Sequence, residues 1–201
     1  MNCKALFLDL DGTVRQTVSG EKFINDPQDQ KLIKNARSAI EYFANRNYVI
    51  FGITNQGGVG AGYKKLELCC QEQKRTIELC PIISKIFFCP DFEGKQLGLI
   101  SKDGGGLLSD KTISDSEIVY SLDNEDKELL GFSNSDNKEE HLNSYSSFRK
   151  PGTGILEFVE QTEQIDIKNS LFVGDRQEDI DCAFNYSLSF LWANQWREIF
   201  G

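Results

Sequence analysis

The chain has 201 residues, 39% of them hydrophobic and 11% aromatic, which is enough apolar material for one domain with a sizeable core and excludes a disordered chain. Its formal charge of −9 offers no positive field to gather nucleic acid or an anionic membrane, and no apolar run is long enough to span a bilayer. The charge is uneven: residues 101–147 hold eleven acids against four bases, so this one stretch supplies −7 and everything else only −2.

Taken in order, the apolar runs alternate with segments of helical period, a pattern that predicts βαβ units and a parallel sheet. Lys4–Leu10 reads as a first strand, continuously apolar as a strand covered on both faces should be. A polar loop runs to about Pro27. Over Gln30–Asn45 the spacing of Leu32, Ile33, Ala36, Ala39, Ile40 and Phe43 predicts a helix. Tyr48–Thr54 is a second strand, Lys64–Leu79 a second helix and Ile82–Cys89 a third strand. Asp91–Ser147 breaks the rhythm with Gly104-Gly105-Gly106 and many Ser, Asn and Asp. It reads as an irregular acidic excursion, at about 91–148, with one hairpin near Ser116–Leu122. Pro151–Gln164 is a helix opened by proline. Ser170–Asp175 and Leu188–Ala193 are the last strands, with a helix from about Glu178 between them. The whole reads as a single domain over residues 1–201.

Polar signatures gather where strands end, the place at which open α/β sheets bind ligands. In Leu6-Phe7-Leu8-Asp9-Leu10-Asp11-Gly12-Thr13, two carboxylates stand two residues apart behind an apolar run. Both should be ionised at neutral pH, with ordinary pKa values of about 3.9, so something positive must hold them. Asp-Gly alone also favours a plain turn. Ile53-Thr54-Asn55-Gln56 ends the next strand with a hydroxyl and two amides, groups that bind an oxyanion without adding charge. Arg149-Lys150 places two cations just before a helix, where its N-terminus acts on the same anion. Val173-Gly174-Asp175-Arg176-Gln177-Glu178-Asp179 ends a strand in one acid with another four residues later. Each stretch has an ordinary explanation of its own as a turn, a solvated pair or a cap. Their occurrence together, in this order, does not.

These four stretches resemble the four motifs of the haloacid dehalogenase superfamily of phosphatases, and the resemblance covers nearly the whole chain apart from the acidic excursion. "TNQGGVGAGY" and "RKPGTGILEF" are similar to subfamily IIIA, the branch of heptose-bisphosphate phosphatases, histidinol-phosphate phosphatases and the polynucleotide 3'-phosphatase domain. The resemblance implies a three-layer α/β/α sandwich with a parallel Rossmann-like sheet in strand order 5-4-1-2-3, and the chain leaves no room for a large cap domain. It implies Mg²⁺, held by the side chains of Asp9 and Asp175 and the backbone carbonyl of Asp11. It also implies that Asp9 is a nucleophile forming an aspartyl-phosphate, and that Asp11 protonates the leaving alkoxide and then deprotonates water. Thr54 and Lys150 would neutralise phosphoryl oxygens, Lys150 also offsetting the charge on Asp9, with Asp179 supporting Lys150 or metal-bound water. Gly12, Thr13, Asn55, Gln56, Arg149 and Arg176 are candidates for substrate contacts. The acid at Asp11 favours hydrolysis over dehalogenase or phosphonatase chemistry, which lacks one there.

Other features carry less. Gly57-Gly58-Val59-Gly60-Ala61-Gly62 fits GxGxxG poorly and reads as a loop beside the site. Sugar phosphatases of this branch often carry a zinc loop, but Cys89-Pro90-Asp91 lacks its histidine and Ser146-Ser147-Phe148 precedes Arg149 where cysteines would stand. No structural zinc is expected, and the single histidine, His141, leaves no Ser-His-Asp arrangement. Six cysteines without a CxxC pair, and no recognisable leader, suggest free thiols and a cytoplasmic location. Trp192 and Trp196 are read as packing. The function expected first is Mg²⁺-dependent hydrolysis of a small phosphorylated metabolite such as a sugar phosphate or heptose bisphosphate. The alternatives are a nucleic-acid 3'-phosphate end and a non-catalytic binding module on the same scaffold. A monomer is the default.

Overall fold

The structure, a computed structural model, describes residues 3–108 and 145–201. Its centre is β1 (Lys4–Leu8), hydrogen-bonded in parallel to β4 (Tyr48–Asn55) on one side and β8 (Leu171–Gly174) on the other. Leu6 stands opposite both Ile50 and Leu171, which fixes the register of the three strands that carry the site. Parallel β5 (Lys85–Cys89) and β9 (Ser189–Trp192) extend the sheet outwards. The five parallel strands therefore lie in chain order 3-2-1-4-5, the expected order read from the opposite edge.

Side chains alternate between the two faces of this sheet, and each face is covered by helices. Phe7, Phe51, Phe87 and Phe172 point into one core with α3 (Gly154–Glu163) and α4 (Gln177–Asn185). Leu6, Leu8, Ile50 and Ile86 point into the other, closed by α1 (Ala36–Ala44), α2 (Leu66–Leu79) and α5 (Ala193–Phe200). Burying one such side chain is worth roughly 1.5–3 kcal/mol, so the two cores dominate the stability. The result is the three-layer α/β/α sandwich with a mostly parallel sheet.

Four elements differ from the sequence reading. The first helix starts at Ala36, because Lys31–Leu32 is instead a short strand, β3, paired antiparallel with β2 (Arg15–Gln16). Leu32 and Ile33 reach the core from extended backbone, which mimicked helical spacing. The third strand begins at Lys85 rather than Ile82, since Pro81 and Ile82 turn before it. Part of the excursion is regular: β6 (Gly98–Ser101) and β7 (Gly105–Leu107) add two antiparallel strands beyond β5. The hairpin expected at Ser116–Leu122 and His141 lie outside the described residues. The C-terminal α5 was not foreseen; it is short, and it is anchored on the second core by the fully buried Trp196 and by Phe200, which packs on Tyr42 and Phe43. Among the described residues no helix is long and apolar enough to cross a membrane.

Candidate active site

The sheet brings the four motifs to one rim. Asp9 leaves β1 with its amide still bonded to the Val173 carbonyl of β8 at 2.9 Å, so the parallel pairing carries it to the strand tip. Its side chain is buried, and Oδ1 accepts from Lys150 Nζ at 2.6 Å. Lys150, also buried, donates to the Ile53 carbonyl at 3.1 Å and is ion-paired with Asp179 at 2.6 Å. Lys150 owes its placement to Asn55, whose amide accepts from the Lys150 backbone N–H and donates to its carbonyl, both at 3.0 Å. Burial pushes the Asp9 carboxyl up to about 7; Lys150 opposes this, while Asp179 and Asp11 add to it. Burial disfavours the charge on Lys150 too, but Asp9 and Asp179 outweigh it and hold the ammonium above its ordinary range.

Asp179 sits at the third position of α4 and turns back on the loop: Oδ2 accepts from the Asp175 and Arg176 amides at 3.1 and 3.0 Å. Asp175 is largely exposed, yet partial desolvation of its carboxyl, with the charge of Asp179 beside it, outweighs Arg176 and raises its pKa. Oxygens of Asp9, Asp175 and Asp179 lie within 4.8 Å of one another, and Asp9 Oδ2 is buried with no hydrogen-bond partner. An orphaned buried carboxylate oxygen facing two more acids fits a hard, oxygen-seeking divalent cation. Gly12 lets the chain pass this cluster: its φ is +94°, and a Cβ there would lie 2.2 Å from Asp175 Oδ2.

The Asp11 carboxylate is not part of that cluster. Arg15, absent from the sequence reading as a site residue, grips it with Nε on Oδ1 at 2.9 Å and Nη2 on Oδ2 at 3.1 Å. Burial works against the charged form of Asp11, but Arg15 prevails and holds the carboxyl below its ordinary range. Gln56 donates to Asp11 Oδ2 at 3.2 Å and to the Thr54 hydroxyl at 3.1 Å. Thr54 is buried at the end of β4, and its hydroxyl lies 3.4 Å from the same Asp11 oxygen.

The candidate substrate contacts fall into separate groups. Asn55 and Gln56 are engaged by Lys150 and Asp11, as above. Thr13 is fully buried, and its hydroxyl has no hydrogen-bond partner among the described residues. Arg149 lies over the Phe92 ring at 4.8 Å beside Gly57, and Arg176 is exposed next to Glu178 at 3.6 Å. On the far side of Asp175 a cavity of about 430 Å³ opens against Trp192, Asn194, Gln195 and Arg197. Arg197 donates to the Gly12 and Thr13 carbonyls at 3.1 and 2.6 Å, tying α5 to the first motif. The sequence reading missed this wall because it stopped at the last strand. The polar residues just after Trp192, at the rim-facing end of that strand, were the available signal.

Known proteins resemble this chain in sequence and in fold. A family model described as polynucleotide kinase 3 phosphatase matches residues 4–189. The D-glycero-alpha-D-manno-heptose-1,7-bisphosphate 7-phosphatase of Campylobacter jejuni is 25% identical over 195 residues, covering 95% of this chain and 82% of its own. The D-glycero-D-manno-heptose-1,7-bisphosphate 7-phosphatase of Thermosynechococcus vestitus is 24% identical over 186 residues, covering 90% and 74%. In fold, the chain is similar to the D,D-heptose 1.7-bisphosphate phosphatase from B. bronchiseptica, whose crystal structure is a complex with magnesium and phosphate. The TM-score is 0.57 at 16% identity, over 93% of this chain and 78% of that one. This chain is a phosphatase of the haloacid dehalogenase superfamily, and it belongs to the polynucleotide kinase 3 phosphatase family.

Proposed function

We propose that the chain is a Mg²⁺-dependent phosphomonoesterase of one domain that works through an aspartyl-phosphate on Asp9, with a sugar phosphate of the heptose-bisphosphate type as substrate. The observation that carries this is the pairing of Asp9 with Lys150 at 2.6 Å while Asp9 Oδ2 stays unpartnered beside Asp175 and Asp179. Asp9 and Asp175, with the Asp11 carbonyl, would hold the cation, which when bound supplies charge neutralisation for nucleophile and phosphoryl oxygens. Lys150 and Thr54 orient and neutralise the phosphoryl group. Asp11, ionised under the grip of Arg15 in the free enzyme, would take up a proton as the anionic phosphate arrives beside it, give that proton to the leaving oxygen and later take one from water. Asp179 keeps Lys150 in place and braces the Asp175 loop. The cavity beside Trp192 offers an indole and two amides alongside the charged Asp175 and Arg197, groups able to bind the hydroxyls of a sugar.

The sugar substrate is supported by the names of the curated relatives, the Campylobacter and Thermosynechococcus enzymes among them. A second reading, a 3'-phosphate at a nucleic-acid end, is favoured by the family description. Steady-state assays with Mg²⁺ on heptose bisphosphate, histidinol phosphate and a 3'-phosphorylated oligonucleotide separate the two. The first reading expects the highest kcat/KM on the sugar; a preference for the oligonucleotide, weakened by salt, overturns it. No structural zinc is proposed: Cys89 Sγ donates to Asp91 Oδ1 at 3.0 Å, and burial together with that acid pushes the thiol pKa up, away from the thiolate that zinc needs. A stoichiometric zinc signal from purified protein would contradict this. A cytoplasmic location is proposed from the free cysteines.

A further inference from the structure

The guanidinium of Arg15 is completely buried and all of its donors are spent. Two go to Asp11 as a fork. Nη2 also donates to Glu72 Oε1 at 2.5 Å, and Nη1 to Thr76 Oγ1 at 2.5 Å and to the Glu72 carbonyl at 3.4 Å. Glu72 and Thr76 lie four residues apart on α2, one turn of the same face, and both are buried. Gln30 fastens them further: its amide donates to the Glu72 carbonyl at 3.1 Å, and its oxygen accepts from the Thr76 hydroxyl at 2.7 Å. The second Glu72 oxygen takes the Lys64 ammonium, just past the glycine-rich loop. Asp11, Arg15, Glu72 and Lys64 thus form a line of alternating charges running from the site into the layer of α2.

An ionic line with Arg15 and Glu72 fully buried at its centre is a poor way to gain stability, because desolvating them offsets most of what the attraction returns. A fork aimed at one carboxylate does something else: it fixes that group's position and plane. We propose that Arg15, braced by Glu72 and Thr76, is a positioning residue that holds the Asp11 carboxyl where it meets the leaving oxygen of the substrate. The inference rests on the role of Asp11 given above. Asp11 belongs to a turn with a positive-φ glycine beside it, whereas α2 is a 14-residue helix packed on the sheet. The helix therefore braces the fork from an element outside the loop that carries Asp11.

The test compares kcat/KM on an activated aryl phosphate, whose leaving oxygen needs little protonation, with that on an alkyl phosphate, whose oxygen needs it fully. This parameter reports steps up to loss of the alcohol, so later hydrolysis of the intermediate does not enter. Arg15→Gln and Arg15→Lys should each lose at least about tenfold more on the alkyl than on the aryl ester, the lysine failing because it keeps the charge without the fork. Asp11→Asn should show the same selectivity, and adding Arg15→Gln to it should cost little more on the alkyl ester. If an Arg15 variant does not fold, Thr76→Val removes one brace alone and should shift the same ratio in the same direction. Equal losses on both esters, or none, overturn the proposal for Arg15. An Asp11→Asn variant without leaving-group selectivity overturns instead the acid role on which it rests.

Discussion

Asn55 and Lys150 hold each other across 95 residues of chain, the amide of one closing a two-bond ring on the backbone of the other at 3.0 Å in each direction. The tip of β4 thereby fixes the residue whose ammonium lies on Asp9. Asn55→Ala leaves the Lys150 N–H and carbonyl without partners. At roughly 1 kcal/mol per hydrogen bond the fold should lose about 2 kcal/mol, or roughly 4–8 °C in Tm. kcat/KM should fall by about tenfold or more as the ammonium loses its aim. Asn55→Asp keeps the acceptor and loses the donor, so it should fall between. A drop in Tm with kcat/KM unchanged would show that Lys150 keeps its place without the clamp.

Asp9→Asn is nearly isosteric, and its amide oxygen can still accept from Lys150. Secondary structure by circular dichroism should therefore match the unaltered chain. Turnover should fall by on the order of 10⁴-fold or more, and the protein should no longer trap phosphate in an acid-stable adduct. A variant that keeps near-normal turnover would remove Asp9 as the nucleophile.

Much of this site was legible because strand ends are written in residue type. A continuous apolar run followed by acids, as at Phe7-Leu8-Asp9 or Phe172-Val173-Gly174-Asp175, marks a buried parallel strand reaching the rim. Period misled where extended backbone fed apolar side chains into the core, as at Leu32 and Ile33. Long-range pairing was invisible for a different reason. Arg15 stood in plain view four residues after Asp11, but its partners Glu72 and Thr76 are 57 and 61 residues away. The available signal was a glutamate and a threonine one turn apart on the helix face that also buries Cys69, Gln73 and Ile77, where a lone charge needs a partner. The two acids of the first motif are thus held by two cations of the protein itself, Lys150 for Asp9 and Arg15 for Asp11, and only the first was foreseen.

Glu157 on α3 ties down the segment that carries Lys150 from both sides, accepting from the Ser146 amide at 3.0 Å and the Thr153 hydroxyl at 2.5 Å. Burial opposes its ionisation, but these bonds prevail and hold the carboxyl below the ordinary glutamate range. A carboxyl depressed in the fold binds fewer protons there than in the unfolded chain, so its contribution is complete above the unfolded value of about 4.3 and disappears as pH falls through the folded value. The Tm gap between the unaltered chain and Glu157→Gln should accordingly be open at pH 7 and close below about pH 4. A gap that is constant across this range, or that widens in acid, would rule out the ionised form as the source of the tie.

Removing the cation should be felt in stability as well as in turnover. Asp9, Asp175 and Asp179 bring three carboxylates within 4.8 Å, and Lys150, paired to two of them, supplies one positive charge against three negative. A divalent ion that binds only the folded cluster stabilises it by mass action, about 2.7 kcal/mol at a hundred times its Kd, which is roughly 5–10 °C in Tm for a chain of this size. Chelation should abolish turnover of an aryl phosphate and return the melt to its metal-free position. Asp175→Asn should lose most of the Mg²⁺-dependent rise in Tm. Asp11→Asn should keep it, because the Asp11 side chain is turned to Arg15 and only its backbone carbonyl is assigned to the ion. If Asp11→Asn loses the rise and Asp175→Asn retains it, the ion sits between the first-motif acids instead of between the tips of β1 and β8.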